Sequence, residues 1–363
     1  MPEKMNLQKF SDWGFPIKNV MFIAGPCSAE SPEQVMQTAL ALKDTDVDML
    51  RAGIWKPRTR PGSFEGVGSI GLKWLKDAGN AINVPVTTEA ATPEHVEECL
   101  KYGIDMLWIG ARTTTNPFAV QAVADALKGV DIPVLVKNPI NPDLELWNGA
   151  LERLERAGIK RLGAIHRGFS TYEKSKFRNQ PIWRIPIEMK HKNPQLPIIC
   201  DPSHICGSRE LLLAVSQNAM DLLFDGLMLE VHIDPDSALS DSKQQLTPGG
   251  YTQLLSKLKI KKASIENEEF KQHINLLRQE IDSIDNRLLE LLAKRMNNAK
   301  KIAFHKMSHD ISLFQPDRFE EVTKKWISEG RNLSGDLSEE FIARLYHFIH
   351  EESLRVQEKV LSD

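Results

Sequence analysis

The sequence predicts an α/β (β/α)8 TIM barrel followed by a small all-α domain of three helices. Three observations carry this. Composition breaks near residue 262: of 21 glycines only Gly330 and Gly335 lie beyond it, of 20 prolines only Pro316, and no cysteine. Before the break, short apolar runs alternate eight times with longer amphipathic ones over about 250 residues, the count and length of a closed barrel. After it comes an amphipathic stretch of roughly forty residues, far longer than an average helix. A doubly wound open sheet would alternate too, but no Gly-rich dinucleotide turn follows the first strand.

The expected strands are Val20–Ala24, Asp48–Ala52, Val84–Thr87, Met106–Ile109, Val134–Val136, Arg161–Ile165, Pro197–Cys200 and Gly226–Glu230. Between them the pattern predicts helices over Pro32–Lys43, Gly68–Gly79, Pro93–Tyr102, Pro117–Lys128, Asp143–Ala157 and Gly207–Asn218. Ser31-Pro32 and Thr92-Pro93 have the cap-then-proline chemistry of a helix start. Thr171 to Lys192 reads as an irregular insertion after the sixth strand. Domain limits are set at 1–260 for the barrel, 261–269 for a polar linker and 270–363 for the helical domain. There, a first helix from about Asn267 to Met307 bears an apolar stripe at Ile274, Leu277, Ile281, Ile284, Leu288, Leu291 and Leu292, suited to a partner helix or a dimer. A second helix starts near Gln315-Pro316 and ends at Gly330, and a third runs from Ser338 to about Leu361.

Formal charge is −3, which argues against a non-specific nucleic-acid binder. No run of 18 apolar residues predicts a membrane span, and residues 1–19 lack the apolar stretch of a signal peptide. Four cysteines in 363 residues make no disulfide framework. The expectation is a reducing, cytoplasmic setting.

Barrel chemistry collects at the C-terminal ends of strands. Those ends supply Arg51, Lys56, Arg58, Arg112, Lys137 and Arg167. So many cations around one mouth repel unless anions bind, and phosphates and carboxylates are their natural partners. The expected ligand is small and carries more than one anionic group. Cys27, His204, Glu230 and Asp241 form a second set, a thiol, an imidazole and two carboxylates. That mixture suits a divalent metal ion such as Mn, Fe, Co or Zn. Strands one, seven and eight are neighbours in a closed barrel, so the fold itself would gather the set. Cys99, Cys200 and Cys206 read as core.

These residues carry a resemblance. Gly25-Pro26-Cys27-Ser28, Lys56-Pro57-Arg58-Thr59, Gly110-Ala111-Arg112-Thr113, Lys137-Asn138, Asp201-Pro202-Ser203-His204 and Glu230-Val231-His232 with Asp241 resemble 3-deoxy-D-arabino-heptulosonate 7-phosphate (DAHP) synthase across nearly all of residues 15 to 258. The alternative is the sister 3-deoxy-octulosonate 8-phosphate synthase barrel, with a non-catalytic, effector-binding tail. The sister carries an Ala-Asn-Arg-Ser type sequence where this chain has Pro57-Arg58-Thr59, which favours DAHP synthase. The resemblance implies condensation of phosphoenolpyruvate with erythrose 4-phosphate. It places Arg112, Lys137 and Arg167 on the enol phosphate, Arg51 and Lys56 near its carboxylate, and Arg58 and Thr59 on the aldose phosphate. The metal would sit on Cys27, His204, Glu230 and Asp241. Lys56 is the expected proton donor, its pKa depressed by neighbouring cations. Arg60 and Ser242 depart from the family pattern, which commonly has Ser and Gly there.

In the tail, Arg295 and Lys306 are eleven residues apart and fall within about 20° of one helix face, whereas Arg278 points about 100° away. Ser353 and Gln357 share a face at i and i+4. With Leu277-Arg278-Gln279-Glu280-Ile281-Asp282, Leu292-Ala293-Lys294-Arg295 and Asp317-Arg318, they resemble the all-helical chorismate mutase domain. That resemblance implies a homodimer in which Arg278 reaches the partner's site. Arg295, Arg318 and Lys306 would bind the substrate's two carboxylates and ether oxygen, and Gln357 the same oxygen, with Ser353 beside it. Phe319 stands where the family often has Glu, leaving Gln315 or Glu320 for the substrate hydroxyl. The runner-up for this domain is an isochorismate-processing lyase, and a third reading makes it an idle effector-binding module. Prephenate or chorismate, held at Arg278, Arg295 and Lys306, is expected to inhibit the barrel; the alternative is phenylalanine or tyrosine acting at a separate site on the barrel.

Overall fold

The computed structural model describes residues 5–57, 62–172, 175–261, 268–333 and 335–362, apart from the side chains of 361 and 362. The chain divides into two units, Met1–Ala263 and Ser264–Asp363. In the first, β1 (Met21–Gly25), β2 (Met49–Arg51), β3 (Val86–Glu89), β4 (Met106–Ile109), β5 (Val134–Lys137), β6 (Leu162–His166), β7 (Ile198–Cys200) and β8 (Gly226–Glu230) form one closed parallel barrel in chain order. β8 returns to pair with β1, in a register that sets Met21 against Gly226 and Gly25 against Glu230. Every expected strand is present.

Alternation along the strands separates two layers. Met21, Ile23, Met49, Met106, Trp108, Leu135, Ile165, Ile199 and Met228 fill the barrel interior. The residues between them, such as Ala24, Leu50, Leu107, Val136, Ala164 and Leu229, pack outward against the helices. Trp13, only 1% exposed, joins the interior cluster with Phe10, Phe15 and Ile17 beside it. Arg161, just ahead of β6, donates to the Trp13 carbonyl at 3.0 Å, so this N-terminal segment floors the barrel below the strands.

The surrounding helices are α1 (Pro32–Leu42), α2 (Ile70–Ile82), α3 (Pro93–Lys101), α4 (Ala111–Thr114), α5 (Pro117–Ala126), α6 (Leu144–Arg156), α7 (Arg184–Lys192), α8 (Pro202–Cys206), α9 (Leu212–Asp221) and α10 (Pro248–Lys257). Ser31 and Thr92 cap as expected, accepting from the Gln34 and His95 amides. Two expectations need correction. The stretch from Thr171 to Lys192 is not simply an insertion: it ends in α7, the regular helix of the sixth unit, which buries Ile185, Pro186 and Met189. The helix expected from Gly207 begins only at Leu212, because Gly207 is the left-handed cap that ends α8.

The second unit contains α11 (Glu268–Met307), α12 (Pro316–Leu333) and α13 (Glu339–Ser362). Ser338 Oγ accepts from the Phe341 amide, the expected start of α13. Gly330 does not end α12, which continues to Leu333. It is a crossing point instead: a Cβ there would stand 2.3 Å from Ile342 Cδ1, so any larger residue would make the Ile342 side chain move. Along α11, Leu277, Ile281, Ile284, Leu288 and Leu291 are exposed. Among the described residues no helix is long and apolar enough to cross a membrane.

Candidate functional site

Counting on by two from the interior residues carries the inward face of the strands up to the C-terminal mouth. Met49 leads to Arg51, Leu135 to Lys137, Ile165 to Arg167, Ile199 to Asp201, Met228 to Glu230, and Ile23 past Gly25 to Cys27. The mouth is thus polar for the same reason that the barrel is apolar. Gly25 has φ +144, and a Cβ on it would lie 2.1 Å from the Arg51 carbonyl oxygen; its absence lets β1 and β2 close there.

The charges at the mouth answer one another. Arg51, 1% exposed, donates to the Cys27 carbonyl at 3.1 Å and lies 3.4 Å from Glu230 Oε1. Trp108 sits beneath two cations, with the Arg51 guanidinium 4.9 Å and the Lys137 ammonium 5.5 Å from its ring. Lys137 Nζ pairs with Asp201 Oδ2 at 2.8 Å, and Asp201 Oδ1 accepts from the His204 amide at 3.1 Å. The Asp201 carboxylate also holds His204 Nδ1, at 2.9 Å from Oδ2. Burial would raise the Asp201 pKa, but His204 and Lys137 prevail and hold it well below the usual range. Lys56 Nζ donates to Cys27 Sγ at 3.0 Å and to the Cys27 carbonyl at 3.1 Å.

The depressed Lys56 pKa expected from the sequence is overturned. Burial does pull it down, but Cys27 and Glu230 together outweigh burial and Arg51, and the ammonium is held above its ordinary value. Burial and the Glu230 carboxylate push the Cys27 thiol up to about 11, against the pull of Lys56. Arg167 is half-buried, and burial followed by the charges of Arg178 and Arg112 brings it down to about 10, although Asp201 opposes. Its guanidinium meets neutral oxygens, those of Asn179 at 2.9 Å and Gly168 at 3.2 Å.

The donor set fits a divalent ion. Cys27, Glu230 and Asp241 offer ligand atoms that all lie within 4.8 Å of one another. Cys27 Sγ and Asp241 Oδ2 are 3.5 Å apart, and His204 Nε2 is 3.8 Å from Glu230 Oε1. His204 adjoins the trio through Glu230 rather than belonging to it. With Nδ1 occupied by Asp201, the imidazole presents Nε2, the orientation that a carboxylate behind a ligating histidine imposes. Glu230 Oε1 is buried without a hydrogen-bond donor, and Oε2 accepts from Gln244 at 2.7 Å. Asp241 takes a left-handed backbone, φ 48, unusual for a residue with a side chain.

Arg112 is exposed, near enough to Arg167 for its charge to be felt. Arg58 and Thr59 lie outside the described residues, as do Arg60 and most of the expected linker. Sequence reasoning missed two groups. Asp201, visible in the Asp-Pro-Ser-His run, joins Lys137 to His204. Arg178 donates to Asp241 Oδ1 at 3.1 Å and to Gln244 Oε1 at 2.8 Å, and it comes from the stretch set aside as an insertion. Nothing periodic marks it.

The helical unit has a cavity of about 360 Å³. Arg295, Lys306, Arg318, Ser353 and Gln357 border it, so the structure brings these five expected residues together. Arg278 is not among them; it is exposed on α11, in keeping with its divergent direction. Arg295 Nη1 donates to the Ile349 carbonyl at 3.3 Å and to Ser353 Oγ, while Lys306 Nζ donates to the Leu313 carbonyl. Burial lowers the Lys306 pKa. Arg318 reaches Glu321 at 2.8 Å on the exposed side. Gln357 Nε2 donates to the Ser353 carbonyl at 3.2 Å, and its Oε1 is buried without a partner among the described residues. Tyr346 and His350 extend the stripe of Ser353 and Gln357 along α13 at spacings of four and three, a continuation legible in the sequence and not drawn from it.

Comparison with known proteins gives two matches along the chain. The family model described as the DAHP synthetase I family matches residues 18–267, and that of type II chorismate mutase matches 277–358. A phospho-2-dehydro-3-deoxyheptonate aldolase of Thermotoga maritima is 35% identical over 237 residues, 65% of this chain and 68% of the relative. A 2-dehydro-3-deoxyphosphooctonate aldolase of Legionella pneumophila is 28% identical over 260 residues, 67% of this chain and 91% of the relative. Among solved structures, that of the Thermotoga maritima DAHP synthase superposes with a TM-score of 0.62 at 32% identity, covering 69% of this chain and 72% of the other. A truncated form from the same organism gives 0.57 at 29% identity, covering 71% and 87%.

Proposed function

The chain belongs to the DAHP synthetase I family and carries a type II chorismate mutase unit behind its barrel, and on that premise we propose how its residues divide two reactions. Residues 1–260 condense phosphoenolpyruvate with erythrose 4-phosphate, and residues 270–363 rearrange chorismate to prephenate. The observation that carries the first assignment is Arg167, a cation held by neutral oxygens beside Lys137, where an enol phosphate would supply the missing charge. The enol carbon attacks the aldehyde carbon, water adds to the cationic carbon left behind, and phosphate leaves from it. Lys56, kept protonated by Cys27 and Glu230, donates the proton that the aldehyde oxygen takes up. Arg51 and Lys56 face the carboxylate, Arg112 shares the enol phosphate, and Arg58 and Thr59 take the aldose phosphate. A divalent ion on Cys27, His204, Glu230 and Asp241 would supply Lewis-acid polarisation of the aldehyde.

Product formation from the two substrates, before and after chelation and Mn²⁺ add-back, tests this. The expected result is loss with chelator and recovery with metal; full activity in metal-free Cys27→Ala protein overturns it. The octulosonate reading, which the lower identity of the Legionella relative disfavours, predicts turnover of arabinose 5-phosphate in the same assay.

For the helical unit, a pericyclic rearrangement needs no nucleophile or metal, only a folded substrate conformer and stabilised charge at the breaking C–O bond. Arg295, Lys306 and Arg318 supply the charge, Ser353 orients Arg295, and Gln357 contacts the ether oxygen. The exposed apolar side chains of α11 favour a homodimer in which Arg278 enters the partner's cavity; a monomer by sedimentation refutes that. Prephenate bound in the cavity inhibits the barrel, and Arg295→Ala should relieve that inhibition. Four unpaired thiols suit a cytoplasmic setting.

A further inference from the structure

We propose that His350 accepts the ring hydroxyl of the substrate in the helical cavity and so sets a preference for hydroxylated dicarboxylates. This rests on the mutase reading of that cavity. Arg295, Lys306 and Arg318 can only donate hydrogen bonds, and none of the described lining residues is Asp or Glu. The carboxylates and ether oxygen of the substrate suit such donors; its hydroxyl hydrogen needs an acceptor. The glutamate the family often places here is Phe319, whose ring centroid lies 4.7 Å from that of His350. Glu320 turns instead to Lys324 at 2.5 Å and does not border the cavity. Gln315 does border it, but shows no unpartnered buried atom.

His350 borders the cavity with a buried Nε2 that has no hydrogen-bond partner among the described residues. An unpaired polar nitrogen out of water is costly, and a ligand hydroxyl would relieve that cost. Phe314, Phe319 and Tyr346 surround the imidazole at 6.0, 4.7 and 5.9 Å, so its plane is fixed before any ligand arrives. Burial, then the charges of Arg295, His347 and Lys306, lowers its pKa and keeps the ring neutral, the form that retains an acceptor. Gln357 Oε1 is the other unpartnered acceptor at the cavity, on the residue that the mutase reading places at the ether oxygen rather than at the hydroxyl.

The test uses the full chain and measures chorismate turnover together with inhibition constants for prephenate and for its analogue lacking the ring hydroxyl. Wild-type protein should prefer prephenate by roughly tenfold or more. His350→Phe, which keeps the ring packing, should weaken prephenate by roughly ten- to a hundredfold and leave the deoxy analogue within about twofold. His350→Gln, which keeps an acceptor, should restore most of the difference. Equal affinity of the wild type for both ligands, or an equal loss for both in His350→Phe, overturns the proposal while the mutase reading stands. Wild-type protein that converts no chorismate overturns the mutase reading itself.

Discussion

At the barrel mouth three cations find their opposites within the chain: Lys137 meets Asp201, Arg178 meets Asp241 and Arg51 meets Glu230. In the helical cavity, Arg295 and Lys306 meet two carbonyls and a hydroxyl. The two sites are built for different ligands. One must hold a cation and several anions side by side, so it carries both signs and locks them under burial. The other receives a dianion alone, so Arg295 and Lys306 wait with neutral partners. Polar side chains at the mouth are therefore structural as well as chemical, whereas those of the cavity can change with little effect on folding.

Gln357→Ala tests the cavity half of this contrast. Mutase turnover should fall roughly a hundredfold, as for loss of one transition-state hydrogen bond, while helical circular dichroism and the melting curve stay put. A destabilised unit would erase the contrast. Asp201→Ala tests the other half. Leaving Lys137 buried without its partner should cost about 3–5 kcal/mol of stability, seen as a lower denaturation midpoint for the barrel. A loss of activity without that destabilisation would make Asp201 purely chemical.

The smallest effect concerns His166, fully buried among Phe169, Trp183 and Phe224 on the outer face of β6. Burial, then the Arg167 charge, lowers its pKa from 6.5 to about 3. Between those values the unfolded chain binds a proton that the folded chain refuses, so stability falls as pH drops through this window. From pH 6.5 to 4.5 the wild type should lose about 2 kcal/mol more than His166→Phe in denaturant titrations. Parallel pH profiles for the two proteins would show that His166 is not the acid-sensitive group of the barrel.

How much of this was legible in the sequence follows from periodicity. Strand alternation marks Arg51, Lys137, Asp201 and Glu230 because each continues an apolar face, and helical spacing pairs Arg295 with Lys306. Arg178 has no such frame: it lies on an irregular excursion, and only the fold brings it to Asp241. The Lys56 pKa was misjudged because a list of cations along the chain leaves out the acidic groups folded against them, here Cys27 and Glu230. Gly330 was mistaken for a helix stop because composition cannot separate a terminating glycine from one that makes room for a neighbouring helix.

The seam between β1 and β8 reaches beyond catalysis, to the order in which the molecule is made. Gly25 pairs with Glu230, and Trp13 fills a floor whose walls come from strands as far along the chain as β8. Loop-closure entropy must be met before such distant contacts contribute anything. During synthesis Met21–Gly25 emerges early, with one edge open until the eighth strand has left the ribosome. These early residues are thus among the last to be shielded, and until then their edge and the bare indole of Trp13 are the nascent chain's points of risk for aggregation.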